Sequence, residues 1–293
     1  MSYWTKQRGG PIKYKLVMIT YKFLGYKVTK LLIWLITLYY SYFAKDALIA
    51  LKKYYTLLQL KCNRATIHSH FYTFALVILD RVLANYNWKK PNFKETGAVA
   101  LYNEMINSSK GKILISAHVG GWQIASDRLA INGSPVNILT YKQEEDSLSK
   151  LIKGKKANLF KVIDYSNDLM ETTMRINNIL SKGEIIAMLP DRYINKEHTS
   201  EVTFLGEKTR INNIPFKISY IKKVPVICTI TLRENDDLYI VKVMSILTPE
   251  SYNNINDYVS YASNIYIENL ENIIKTYPMQ WFNFYDFWKE EAS

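Results

Sequence analysis

The chain has 293 residues, enough to bury a substantial core as one large domain or two smaller ones. Apolar residues make up 48% of it, which is too many for a disordered chain and too few for a multi-span membrane protein. The net charge is +12, and residues 1–66 carry nearly all of it, with 12 Lys or Arg and the single acid Asp46. A basic excess confined to one end indicates a local anionic partner, either lipid or nucleic acid.

The segment from Lys13 to Ala44 is rich in Leu, Ile, Tyr and Trp and has five lysines, all before Leu31. Its longest charge-free stretch has 14 residues, whereas a membrane-spanning helix needs about 20. The pattern favours a helix that lies in the membrane interface, with lysines toward anionic headgroups. A single span with snorkelling lysines and an ordinary buried helix stay open as alternatives.

Residues 45–90 continue as predicted helices that include His68 and His70. Two residues apart on a helix, these histidines point to different faces, and no carboxylate or thiol lies at ligand spacing. We therefore interpret them as solvated or core histidines and predict no metal site. We expect residues 1–95 to form a basic, aromatic-rich, helical membrane-associating region, and residues 96–293 to form an α/β domain.

Apolar runs of strand length follow, separated by at least one helical pattern at Glu171–Leu180. The runs are Lys112–Ala117, Val136–Tyr141, Ile185–Leu189 and Val224–Leu232. Strands that alternate with helices predict the α/β class, with a mainly parallel central sheet flanked by helices.

The stretch from Ile113 to Asp127 (ILISAHVGGWQIASD) places a histidine just past a predicted strand, before two glycines and a helix start. Open α/β sheets bind ligands at the carboxyl ends of their strands. There, His118 could take a proton from a hydroxyl nucleophile. Gly120 and Gly121 would allow close approach of a substrate to the backbone, beside free N–H groups of the helix. The alternative is a plain strand-to-helix turn with an incidental histidine.

Four segments then carry a resemblance to a known family. They are WTKQRGG at Trp4–Gly10, HVGGWQ at His118–Gln123, LPDR at Leu189–Arg192 with FLG at Phe204–Gly206, and QWFNFYDFW at Gln280–Trp288. In this order they resemble motifs of the late acyltransferases of lipid A biosynthesis. This is the lauroyl and myristoyl transferase family of the lysophospholipid-acyltransferase-like superfamily.

The resemblance implies transfer of an acyl chain from an acyl carrier protein thioester to a hydroxyl of a lipid A precursor or a related glycolipid. The partners would be that carrier, the glycolipid and anionic lipids, at the cytoplasmic face of the bacterial inner membrane, with the chain peripheral or single-span. No metal or organic cofactor is needed.

The resemblance also implies residue roles. His118 would be the general base, and Gly120, Gly121 and Trp122 would line the substrate site. Arg192 would bind a phosphate, Asp191 would orient its loop rather than react, and Asn283 and the rings around it would shape the far wall. The aromatic residues around Asn283 could equally serve core packing.

One position departs from the family pattern, because Gln123 stands where the family has an acid that would orient the histidine. Gln123 could suffice as an orienter, or Asp127 could supply the charge from one helical turn away. Otherwise the chain has lost catalysis and is a membrane-binding scaffold. Nucleic-acid binding is disfavoured, because no recognisable nucleic-acid-binding module is present.

Overall fold

The protein is described here from a computed structural model, in which residues 11–100, 103, 107–124, 136–140, 160–164, 169–193 and 195–289 can be placed. Within these residues the strands are β1 Asn92–Gly97, β2 Lys112–Ile115, β3 Val136–Thr140, β4 Phe160–Asp164, β5 Ile185–Met188, β6 Thr199–Phe204, β7 Glu207–Asn212, β8 Val226–Arg233 and β9 Leu238–Leu247. The helices are α1 Pro11–Phe43, α2 Lys45–Leu57, α3 Arg64–Asn85, α4 Leu169–Ser181, α5 Ile214–Lys222 and α6 Ile255–Thr276.

The described strands form a central seven-stranded sheet in the order β1-β9-β8-β2-β5-β3-β4. Strands β8, β2, β5, β3 and β4 are parallel to one another, whereas β9 runs antiparallel to β8 and parallel to β1. Strands β6 and β7 form a separate antiparallel hairpin. The predicted α/β class with a mainly parallel sheet is therefore confirmed.

Strands β2 and β5 are almost entirely apolar, as expected of strands covered on both faces of a sheet. In β8, polar residues alternate with apolar ones from Thr229 onward. All four residues of β2 are buried, and so are seven of the eight in β8. The four strands predicted from apolar runs coincide with β2, β3, β5 and β8 to within two residues at either end.

Helices α2 and α3 share the main core with the sheet. Leu51, Tyr55, Ile67 and Phe71 belong to the same apolar cluster as the strand residues. Strand β1 crosses the predicted boundary at residue 95 and pairs with β9. The two predicted regions are thus continuous in packing, and the boundary between them stays a prediction.

Helix α1 has an unusual distribution of side chains. Its buried face is a four-residue repeat of Thr29, Ile33, Thr37 and Ser41, which are at most 5% exposed. The helix packs against α3, with Ile33 beside Leu79 and Leu83. Eleven of the eighteen large exposed apolar side chains among the described residues lie on α1, including Phe23 at 75%. Within the described part of the chain, no helix is long and apolar enough to cross a membrane.

Candidate active site

The register of two adjacent parallel strands brings His118 and Asp191 together. In the β2–β5 pair, Ile115 lies opposite Met188. His118 is three residues beyond the first of these and Asp191 three residues beyond the second, so both follow the carboxyl end of a strand at equal distance. Ser116 donates its N–H to the Met188 carbonyl at 3.1 Å, which continues the register of the two strands one residue further. The site therefore lies where parallel sheets commonly bind ligands.

His118 makes two hydrogen bonds to the same carboxylate. Its Nδ1 lies 2.8 Å from Asp191 Oδ1, and its backbone N–H donates to Oδ2 at 2.9 Å. An ionised carboxylate can only accept, so Nδ1 carries the ring proton in this pair and Nε2 holds the basic lone pair. The arrangement fixes the tautomer, the ring plane and the main chain of His118 together.

Asp191 is completely buried. The Trp281 indole N–H and the Asn283 side-chain amide donate to Oδ2 at 3.3 and 3.4 Å. Burial by itself would raise the pKa of the Asp191 carboxyl. The charge and hydrogen bonds of His118 and the charge of Arg192 outweigh burial and hold that pKa below its usual value. The carboxylate is therefore ionised at neutral pH and can stabilise an imidazolium on His118.

The C-terminal segment 281–285 forms one side of the site. Phe282 donates its N–H to the His118 carbonyl at 2.7 Å. The Asn283 side chain connects Arg192 and Asp191. Its carbonyl oxygen accepts from Arg192 Nε at 3.2 Å, and its amide faces Asp191. The Arg192 guanidinium also lies 5.8 Å from the centre of the Tyr285 ring. The structure thus places His118, Asp191, Arg192 and Asn283 in one site.

Packing within the protein itself requires glycine at positions 120 and 121, independently of any substrate. Gly120 has φ +53°, and a side chain there would meet the Thr231 carbonyl oxygen at 2.0 Å. At Gly121 it would meet the Tyr239 ring at 2.5 Å. Their N–H groups donate to the carbonyls of Gln280 and Thr231, both at 2.8 Å. These two N–H groups are therefore engaged within the protein, and the predicted substrate-binding role of the glycines stays a prediction.

Trp122 and Gln123 follow the two glycines in the chain. Trp122 is half-buried against the small apolar cluster formed by Leu114 and its neighbours. Gln123 is also half-buried, in the short helical turn after Gly121. Its orienting role stays a prediction, although the ring nitrogen that such a role requires, Nδ1, is bonded by Asp191. Asp127 and the WTKQRGG segment lie outside the described residues.

Sequence reasoning assigned the aromatic rings around Asn283 to the far wall of the site or to core packing. It did not identify Trp281 as a hydrogen-bond donor to Asp191, or Asp191 as the source of the charge. Both occur inside segments that the sequence singled out, LPDR and QWFNFYDFW. The sequence places Trp281 in an aromatic segment. The residues around it in the sequence do not show whether its indole N–H donates a hydrogen bond or whether the ring only packs in the core. In the described ranges, no group of three or more His, Cys, Asp or Glu is placed to hold a metal ion.

The His118–Asp191 pair at the carboxyl ends of parallel strands, with Asp191 buried and His118 13% exposed, has the geometry that general-base activation of a hydroxyl requires. The model of the bacterial lipid A biosynthesis acyltransferase family matches residues 100–290, about two thirds of the chain. The chain belongs to this family. A search of the curated proteins finds no match.

Proposed function

We propose that the protein transfers a fatty acyl chain from an acyl carrier protein thioester to a hydroxyl of a lipid A precursor or a related glycolipid. Family membership supports acyltransferase activity of the lipid A type in general. The observation that carries the finer proposal is the 2.8 Å hydrogen bond between His118 Nδ1 and the buried Asp191 carboxylate. This contact leaves Nε2 as the nitrogen that can accept a proton.

The proposed reaction has two balanced proton transfers. His118 Nε2 takes the proton from the acceptor hydroxyl as its oxygen attacks the thioester carbonyl carbon. The tetrahedral intermediate then breaks its C–S bond, and the leaving thiolate takes the proton from the imidazolium. An ester and a free thiol result, and His118 returns to its neutral form. Asp191 stays ionised throughout and stabilises the imidazolium between the two transfers.

Arg192 is the proposed anion-binding residue. Its planar guanidinium suits a phosphate, whether on the glycolipid or on the phosphopantetheine arm of the carrier. The bonds from Arg192 to Asn283 and to the Phe282 carbonyl fix the direction of the guanidinium. A phosphate bound here would lie beside the His118–Asp191 pair. Either substrate, the glycolipid or the carrier arm, would then be held with its reacting group near His118.

We also propose that α1 docks on the cytoplasmic face of the inner membrane. A helix of a soluble domain normally buries its large apolar side chains and exposes its polar ones. In α1, three of the four residues on the buried face are polar, Ile33 being the exception, whereas Phe23, Leu31 and Leu35 are exposed. Lys22 and Lys27 are also exposed on α1 and suit anionic headgroups. The same basic region suits an acidic acyl carrier protein.

Acyl transfer to a panel of lipid acceptors, including tetra-acylated lipid A precursor, tests the proposal by mass spectrometry in mild detergent. Transfer by the native chain and its loss in His118→Ala would support the assignment. His198→Ala is the matched control, because His198 lies in a separate 3₁₀ turn at Lys196–His198. If no acceptor is acylated while the protein still binds anionic vesicles, the alternative of a catalytically impaired membrane-binding scaffold replaces the enzyme.

A further inference from the structure

His70 is a fully buried histidine of α3 whose two ring nitrogens both have partners. Its Nε2 lies 3.0 Å from the Trp281 carbonyl oxygen, and its Nδ1 lies 3.0 Å from the Tyr55 hydroxyl. A carbonyl can only accept, so Nε2 carries the proton and Nδ1 accepts from Tyr55. Burial lowers the pKa of His70 to about 4. The ring is therefore neutral at pH 7, with one defined tautomer.

The peptide unit between Trp281 and Phe282 connects His70 to the proposed base. Its carbonyl accepts from His70 Nε2 at 3.0 Å, and its N–H donates to the His118 carbonyl at 2.7 Å. In a trans peptide these two groups point in opposite directions from one rigid plane. Fixing the carbonyl with His70 therefore fixes the direction of the N–H that holds the His118 backbone.

The same segment also holds Asp191. The Trp281 indole donates to Asp191 Oδ2, and Trp281 forms a backbone bridge with Val119, the residue after His118. A displacement of Trp281 would therefore act on both members of the His118–Asp191 pair at once. Tyr55 completes the arrangement from α2, because its hydroxyl sets the orientation of the His70 ring.

Rings from α2 and α3 cover this segment. Tyr54 lies 5.1 Å from the Trp281 ring, and its hydroxyl donates to the Pro278 carbonyl at 2.9 Å. Phe74 lies 5.0 Å from Phe282, centre to centre. Both helices precede residue 100, where the family match begins. These contacts of Trp281 and Phe282 with α2 and α3 thus come from a part of the chain that the match does not include.

We infer that His70 is a positioning residue for the His118–Asp191 pair, so that the site depends on α3. Neutral His70 holds the Trp281–Phe282 peptide plane, and this plane holds the backbone of His118 and the indole that bonds Asp191. The rate consequence rests on the proposed function. The positioning itself does not, since it is measurable on His118 directly.

The test compares two substitutions of similar length, His70→Gln and His70→Met. The Gln amide can donate to the Trp281 carbonyl, whereas the flexible Met side chain fills the space without a donor. His68→Phe is the matched control, because His68 also lies on α3 and bonds a tryptophan carbonyl, that of Trp34 at 3.1 Å. The readouts are kcat and KM for acyl transfer, and the NMR signal of the His118 Nδ1 proton.

We expect His70→Met to lower kcat about tenfold with KM within twofold, and to shift or broaden the Nδ1 proton signal. We expect His70→Gln and His68→Phe to stay within threefold of the native kcat with the native signal. A folded His70→Met protein with native kcat and signal would overturn the inference. If His70→Met does not fold, Tyr55→Phe carries the test, because it removes the other bond of the His70 ring. An unchanged Nδ1 signal there would equally overturn it. A native chain inactive on every acceptor contradicts the proposed function alone, since the NMR signal still decides the positioning.

Discussion

Replacing Asp191 by Asn is the sharpest perturbation of the proposed base. The native carboxylate accepts from Nδ1 and the backbone N–H of His118, and from Trp281 and Asn283. An Asn side chain has one accepting oxygen and one donating NH₂. If its oxygen takes the place of Oδ1, its NH₂ faces the three donors around Oδ2. If it is turned over, the NH₂ faces Nδ1 and forces the proton onto Nε2, which then cannot act as a base.

The expected loss follows from the charge. A carboxylate 2.8 Å from Nδ1 stabilises an imidazolium by about 6 kcal/mol at an effective dielectric constant of about 20. The change of tautomer and the loss of charge act on the same group, so their effects are not additive. In serine proteases, the corresponding Asp→Asn substitution lowers turnover about 10⁴-fold. A thioester is more reactive than an amide, so we expect kcat to fall by roughly 10² to 10⁴.

Single-turnover acyl transfer, followed by mass spectrometry, measures this loss separately from product release. Asp286→Asn is the matched control. It makes the same chemical change in the same C-terminal region, at a half-exposed pair with Lys53 at 2.9 Å, and should stay within twofold of native. Thermal unfolding of both variants separates lost chemistry from lost folding. An Asp191→Asn protein that is folded and transfers within threefold of the native rate refutes the role of Asp191.

Four further outcomes are expected. The pKa of His70 falls from 6.5 to about 4 on folding. Its contribution to the free energy of unfolding is therefore complete above pH 6.5 and is lost as the pH falls from 6.5 to 4. Denaturant unfolding should show a loss of roughly 2 kcal/mol between pH 7 and 4.5 from this residue, and the loss should be absent in His70→Gln. Arg192→Lys should raise KM for a phosphorylated substrate about tenfold, because Lys lacks the planar fork, and an unchanged KM argues against anion binding there. Phe23→Ser with Leu31→Ser should weaken binding to anionic vesicles at least tenfold, about 1.5 kcal/mol or more, with native thermal unfolding, and unchanged binding excludes this face. Gln123→Glu should leave kcat within about sixfold of native.

The strands that carry the site were predictable from sequence, but their neighbours were not. Each of β2 and β5 is a continuous apolar run, which indicates a buried strand without naming its partner. Strands β3 and β4 lie between them in sequence, yet β2 and β5 are adjacent in the sheet. His118 and Asp191 are 73 residues apart in the chain, so no local spacing rule brings them together. Strand β1 (NFKETG) was not predicted because its polar, half-exposed residues resemble a loop.

The histidines of α3 show a similar limit. Sequence spacing indicated that His68 and His70 point to different faces, and the structure agrees, since His68 contacts α1 and His70 contacts Trp281. The alternatives of a solvated or a core histidine could not be separated by sequence. What decides between them is a carbonyl 211 residues away. Long-range backbone acceptors leave no trace in the residues around the histidine.

The position of Asp191 explains how the site can work with Gln123 at the position where the family pattern has an acid. A neutral imidazole in the required tautomer has one proton on Nδ1, and Asp191 Oδ1 already accepts it at 2.8 Å. A carboxylate introduced by Gln123→Glu would find no second Nδ1 proton, so its effect would be a longer-range attraction for the imidazolium. Such attractions are worth about 0.2–1 kcal/mol at partly exposed positions, a factor below about six in rate. A gain of 100-fold or more in Gln123→Glu, measured against Asp191→Asn in the same assay, would show that position 123 supplies the acid and that Asp191 only holds its loop.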